Sequence, residues 1–104
     1  MNGVYSVKFS SIHGSGTGTV FLENGLLRGG DAIVAYWGSY STNNSILSGN
    51  IVTHQHGKGY SVLGNGTELT FEAKKISSGL ISGTGQVVGQ SFNTRFELQK
   101  IASL

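Results

Sequence analysis

Leu27-Arg28-Gly29-Gly30-Asp31, followed by Tyr36-Trp37-Gly38-Ser39-Tyr40, is the stretch on which the reading of the fold turns. Tyr36, Gly38 and Tyr40 are two residues apart, so an extended chain carries them on one face. The paired glycines ahead of them suit a tight corner between two strands. Nothing in the stretch resembles catalytic machinery.

The same period-two alternation extends outward in both directions. Towards the N-terminus, Gly3 to Ser10 sets Tyr5, Val7 and Phe9 against Ser6, Lys8 and Ser10, the pattern of a half-buried strand. A glycine-rich connection at His13-Gly14-Ser15-Gly16 leads to a strand over Thr17 to Glu23. Asn24-Gly25 supplies the positive φ angles of a type I′ hairpin, and Leu26 to Gly29 returns. Beyond the corner, strands are expected over Ile33 to Ser41, Ile46 to His54, Glu68 to Ile76, Leu80 to Val88 and Ser91 to Lys100. Thr42-Asn43-Asn44-Ser45 forms a polar turn between the first two of these. Gln55 to Thr67 is the longest irregular connection, with Tyr60-Ser61-Val62-Leu63 as an apolar island, and long loops in small domains tend to carry function.

Helices find little room. Seventeen glycines are spread along the 104 residues, and each costs about 1 kcal/mol against alanine in a helix interior. Two segments carry a helical signal as well: Leu69, Ala73 and Ile76 in one, Phe92 and Phe96 in the other. In both the strand alternation is equally complete, and both are read as strands. The result is an all-β chain of about eight strands at spacings found in sandwiches and small barrels.

One face of each strand collects Tyr5, Val7, Phe9, Val20, Leu22, Tyr36, Tyr40, Leu69, Phe71, Phe92, Phe96 and Leu98, with Gly83 and Gly85 leaving space. An eight-stranded barrel is just wide enough to be filled by side chains or to hold one small ligand. A packed core is the simpler reading. If an apolar molecule does sit inside, Tyr5, Phe9, Leu22, Tyr36, Tyr40, Phe71, Phe92 and Phe96 would line its site.

Composition narrows the function. The length suits one domain over residues 1–104, and the absence of cysteine removes disulfides and thiolate metal sites. The first residues lack the basic and apolar regions of a secretion signal, and no window has the roughly 20 apolar residues of a membrane-spanning helix. A cytoplasmic location is the expectation. Seven basic and five acidic side chains leave a net charge of +2 with no basic stripe, so direct nucleic-acid binding is not expected.

Catalytic patterns are sparse. Glu23, Asp31, Glu68, Glu72 and Glu97 are isolated, so spacing pairs no acid with a base. The serines lack a Gly-x-Ser-x-Gly elbow, and neither Gly14-Ser15-Gly16 nor Gly83-Thr84-Gly85 is followed by the lysine and helix of a phosphate loop. His54 and His56 would project from one side of a strand, a metal geometry when a third ligand joins them; His13 is the remaining histidine. With no carboxylate close in sequence, two solvent-facing imidazoles are the plainer interpretation, and neither a metal nor a cofactor is expected. Trp37 points to a different role. With Tyr36 and Tyr40 turned inward, Ile33, Ala35, Trp37 and Ser39 face outward, and an exposed apolar strand face marks an interface, commonly that of a symmetric dimer.

The ordered series Asn2-Gly3-Val4-Tyr5-Ser6-Val7-Lys8-Phe9, Gly16 to Leu22, Leu27 to Asp31, Tyr36 to Tyr40, Gly59 to Gly64, Ser82 to Gly85 and Phe92 to Lys100 resembles the GrlR family of bacterial negative regulators of type III secretion genes. The resemblance covers nearly the whole chain. It implies a small, lipocalin-like, eight-stranded antiparallel up-and-down barrel that forms a homodimer. It also implies an apolar cavity open to a lipid-like molecule, and action by sequestering a transcriptional activator. Family members grip the basic activator with an acidic cluster in the turn after the equivalent of Tyr40. Here that turn is Thr42, Asn43, Asn44 and Ser45, which carries no charge. Three readings follow: a regulatory binding protein with a protein partner, a lipocalin-like binder of a small apolar ligand, and an enzyme built on His54 and His56.

Overall fold

Each strand of the chain pairs with the strand before it, and the last pairs with the first. The computed structural model describes residues 1–59, 62, 67–89 and 93–104. Its strands are β1 (Gly3–Ser11), β2 (Gly14–Glu23), β3 (Leu26–Gly30), β4 (Val34–Asn43), β5 (Ile46–Gln55), β6 (Glu68–Ser77), β7 (Leu80–Val87) and β8 (Asn93–Ala102). All neighbours are antiparallel in chain order, and β8 pairs with β1 through Leu98 opposite Val7 and Phe96 opposite Phe9, which closes an eight-stranded up-and-down barrel. Closure gives every strand a neighbour on both sides, although the short β3 pairs only with Thr19–Glu23 of β2 and with residues 35–39 of β4. Among the described residues, no helix is long and apolar enough to cross a membrane.

Several expectations about local structure are corrected in detail. The segment Gly14-Ser15-Gly16 is strand, paired with Ser11, Ser10 and Phe9, and not a connection. Gly29 and Gly30 likewise belong to β3, and neither has a positive φ. The corner is made instead by Asp31, whose Oδ1 accepts hydrogen bonds from the backbone N–H groups of Ile33 and Val34, both at 2.8 Å. Its own N–H donates to the Val34 carbonyl at 2.9 Å. Gly29 is required for a different reason: a Cβ there would run into the Thr19 carbonyl of the neighbouring strand. The segment with the double signal, β6, is a strand with Leu69, Phe71 and Ala73 buried and Thr70, Glu72 and Lys74 exposed. Phe92 and most of the Tyr60 to Leu63 island lie outside the described residues.

The glycines explain how so narrow a barrel is filled. Across the inner face, directly opposed residues run Gly16, Phe9, Phe96, Gly83, Ala73, Leu47. A second row runs Tyr40, Gly49, Phe71, Gly85, Thr94, and a third Tyr5, Val20, Gly29, Tyr36, Thr53. Aromatic rings are thus set beside glycines, so large and small alternate as a tapering interior requires. The Phe9 ring occupies the space a Gly16 side chain would need, and the Tyr36 hydroxyl that of Gly18. Phe71 and Phe96 meet edge to face at 5.9 Å between ring centroids. Ile33, expected on the outer face, precedes β4 and packs half-buried against this core, as does Val62 from the long connection. The connection is tied down by hydrogen bonds from the N–H groups of His56 and Gly57 to the Ile33 carbonyl, at 2.8 and 3.0 Å.

Candidate functional site

Two surfaces can bind: the inside of the barrel and the outside. Within it, a cavity of about 60 Å³ is lined among others by Phe9, Leu22, Tyr36, Tyr40, Phe71 and Phe96, six of the positions expected to face a ligand. Tyr5 is buried but does not border this space; its hydroxyl donates to the Met1 carbonyl at 2.7 Å. Sites for drug-sized ligands occupy roughly 300 to 1,000 Å³, whereas a water needs about 10 to 15 Å³ of such volume. The inside is therefore a packed core with room for a few waters.

Among the described residues, two polar atoms in that core have no hydrogen-bond partner, Tyr36 Oη and Thr94 Oγ1. Both residues border the cavity. Burial, reinforced by the nearby Asp31 carboxylate, pushes the Tyr36 phenol well above its ordinary range, and burial followed by the neighbouring Tyr40 raises that of Tyr5. Neither phenol is poised to lose a proton near neutrality. The buried hydroxyl of Thr53, by contrast, is held by Thr67, with its Oγ1 at 2.9 Å from that of Thr67.

On the outside, strand register assembles a belt that spacing alone did not reveal. Val4, Phe21, Arg28, Trp37, Val52 and Glu68 lie directly opposite one another on successive strands from β1 to β6. Phe21 is 46 % exposed, Trp37 45 % and Val52 39 %. Leu26, also exposed, sits one pleat along β3 from Arg28 and widens the belt. Of the expected interface residues, Trp37 is at its centre and Ala35 is half-buried beside it on the same face. Phe21, Leu26 and Val52 were missed. Their signal is the run of apolar residues on both faces, in Val20-Phe21-Leu22, Leu26-Leu27 and Ile51-Val52, which simple alternation does not need.

Thr42 and Asn43 end β4, and Asn44 and Ser45 form the hairpin turn; all four are exposed. Thr42, Asn44 and Ser45, with Met1, Asn2, Gly25, Tyr40, Ser41 and Lys75, border a shallow hollow at one rim of the barrel, which Asn43 does not reach. The charged side chain bordering it is a lysine, so this rim has the opposite sign to an acidic grip. His54 is exposed on β5, opposite Ala35, while His56 lies past the end of that strand with Nε2 3.0 Å from the Asp31 carbonyl oxygen. The two imidazoles do not project together from one strand. Among the described residues, no group of three or more histidines, aspartates or glutamates is placed to hold a metal ion.

No protein-family model matches this chain, and no curated protein matches it.

Proposed function

We propose that this chain is a non-enzymatic regulatory binding protein that works through protein contacts on the outside of its barrel. The observation that carries this reading is the pairing of a nearly full interior with an outer belt on which Phe21, Trp37 and Val52 are exposed apolar side chains, with Arg28 between the first two. Burying such a belt returns apolar surface from water, the main favourable term in protein association. A GrlR-like role in repressing type III secretion or similar genes, by holding an activator, is the specific form the sequence resemblance suggests. Its partner contact differs from the acidic grip of that family, because the rim around Thr42 to Ser45 offers neutral amides, hydroxyls and Lys75. Storage of a lipid-like molecule requires the interior to expand several-fold, and is the weaker reading.

Native mass spectrometry of the protein purified from its own cells separates the two. A complex with a second polypeptide and no retained small molecule is expected. A chain that carries a stoichiometric lipid-sized mass and no protein would replace this reading with the lipocalin-like one.

A further inference from the structure

We propose that the end of the barrel at which β6 and β8 finish docks on an anionic lipid surface, through two Lys-Ile pairs, Lys75-Ile76 and Lys100-Ile101. Among the described strand pairs the register slips twice, once at each of these isoleucines. Lys75 pairs with Ile81 and Ser77 with Leu80, so Ile76 has no partner across β7. Lys100 pairs with Tyr5 and Ala102 with Val4, so Ile101 has none across β1. A bulge leaves its extra residue outside the ladder and re-aims the side chain, and barrel rims are a common place for one. Both isoleucines are exposed, Ile76 by 58 % and Ile101 by 61 %.

The fold gathers charge that the sequence keeps apart. β6 and β8 are each antiparallel to β7, which lies between them, so their last residues share one rim. The Lys100 N–H donates to the Gly79 carbonyl at 2.7 Å and sets β8 against the turn from β6 to β7, while the Lys75 N–H donates to the Ser45 carbonyl at 3.1 Å. With Lys74, three of the chain's seven basic side chains stand on this arc. Ile46, also exposed, lies opposite Lys74. The acidic residues of the same two strands, Glu68, Glu72 and Glu97, are further down the wall, and Glu23 ends β2 on the far side of β1.

This arrangement fits a bilayer better than a polypeptide. An ordinary protein interface needs about 800 Å² of fitted surface from each partner, whereas these isoleucines are separate prongs two strands apart, about 10 Å. Fluid lipid closes around separate prongs. The isoleucines enter the boundary between headgroups and acyl chains, and the neighbouring lysines lay their methylene stems alongside and hold their ammonium groups among the phosphates. Trp37 lies six residues before the end of β4 at this rim, so the contact leaves the outer belt open to the polypeptide partner proposed above.

Flotation of the recombinant chain with phosphatidylcholine vesicles, with and without phosphatidylglycerol, tests this at physiological ionic strength. Binding is expected on the vesicles that contain phosphatidylglycerol, and should weaken as salt is raised. Lys75→Gln and Lys100→Gln should each lower the partition coefficient about fivefold, and Ile76→Ser combined with Ile101→Ser at least about tenfold. Lys58→Gln removes the same charge from the connection after β5, at the opposite end of the barrel, and should leave binding unchanged because salt screens so distant a charge. The lysine variants alter exposed side chains alone, so the test does not depend on the folding of the isoleucine pair. Failure to bind either vesicle, equal binding to both, an equal loss in Lys58→Gln, or full binding without the two isoleucines would each overturn the proposal. So would a polypeptide retained through Ile76 and Ile101 by a chain that ignores the vesicles.

Discussion

Asp31 illustrates how one side chain can carry a corner that glycines seemed to own. Its carboxylate caps two backbone N–H groups in the connection from β3 to β4, so the turn is an aspartate motif and the preceding glycines remain in the strand. Asp31→Ala removes both bonds and should lower stability by about 1 to 2 kcal/mol in urea unfolding, with the barrel otherwise retained. Tyr36 behaves in the opposite sense. Its buried hydroxyl has no partner among the described residues, so Tyr36→Phe should leave stability unchanged or raise it by about 1 kcal/mol. A marked loss would mean that the hydroxyl holds something inside the barrel. Because the phenol of the folded protein is raised above its ordinary value of 10.0, the folded state keeps its proton where the unfolded chain loses it. The contribution is intact below pH 10 and is lost as pH rises above it; alkaline unfolding of wild type and Tyr36→Phe compared side by side reads the difference.

The hairpins show which signals were legible at the scale of elements. Asn24-Gly25 announces its turn, and both residues have positive φ, 50° and 86°. Asn44-Ser45 forms the equivalent two-residue turn with φ of 52° and 69°, although serine is a poor occupant of that region. Ser45→Gly should therefore stabilise the barrel by roughly 1 kcal/mol, measured as a shift of the denaturation midpoint without a change in slope. The inward faces of β1 and β6 were readable because apolar and polar residues alternate there, whereas β2 and β4 carry Phe21 and Trp37 outward beside their buried neighbours. The start of β2 was not, since Gly14 and Gly16 look like a linker until their partners Ser11 and Phe9 are known. Leu47 and Ile81 were missed as core because their strands mix apolar, small and polar residues on the inner face.

For the whole molecule, the decisive quantity is how much of the interior is left once aromatics and glycines interlock. Spacing identified part of the lining, Phe9, Leu22, Tyr36, Tyr40, Phe71 and Phe96, but could not give a volume, because volume depends on which glycine each ring lies over. It identified Trp37 as outward, yet the belt needed the register of six strands to align Phe21, Arg28, Val52 and Glu68 with it. The rim around Thr42 to Ser45 is exposed and bordered by Lys75 with no acidic side chain, which moves the weight of any protein contact to the belt. Trp37 is the chain's single tryptophan, so its fluorescence reports on that belt without labelling. Emission and accessibility to a soluble quencher should be compared between the complex isolated from the protein's own cells and the recombinant chain alone. A belt covered by a partner polypeptide predicts emission at shorter wavelength and weaker quenching in the complex than in the chain alone; identical emission and quenching in the two would contradict it.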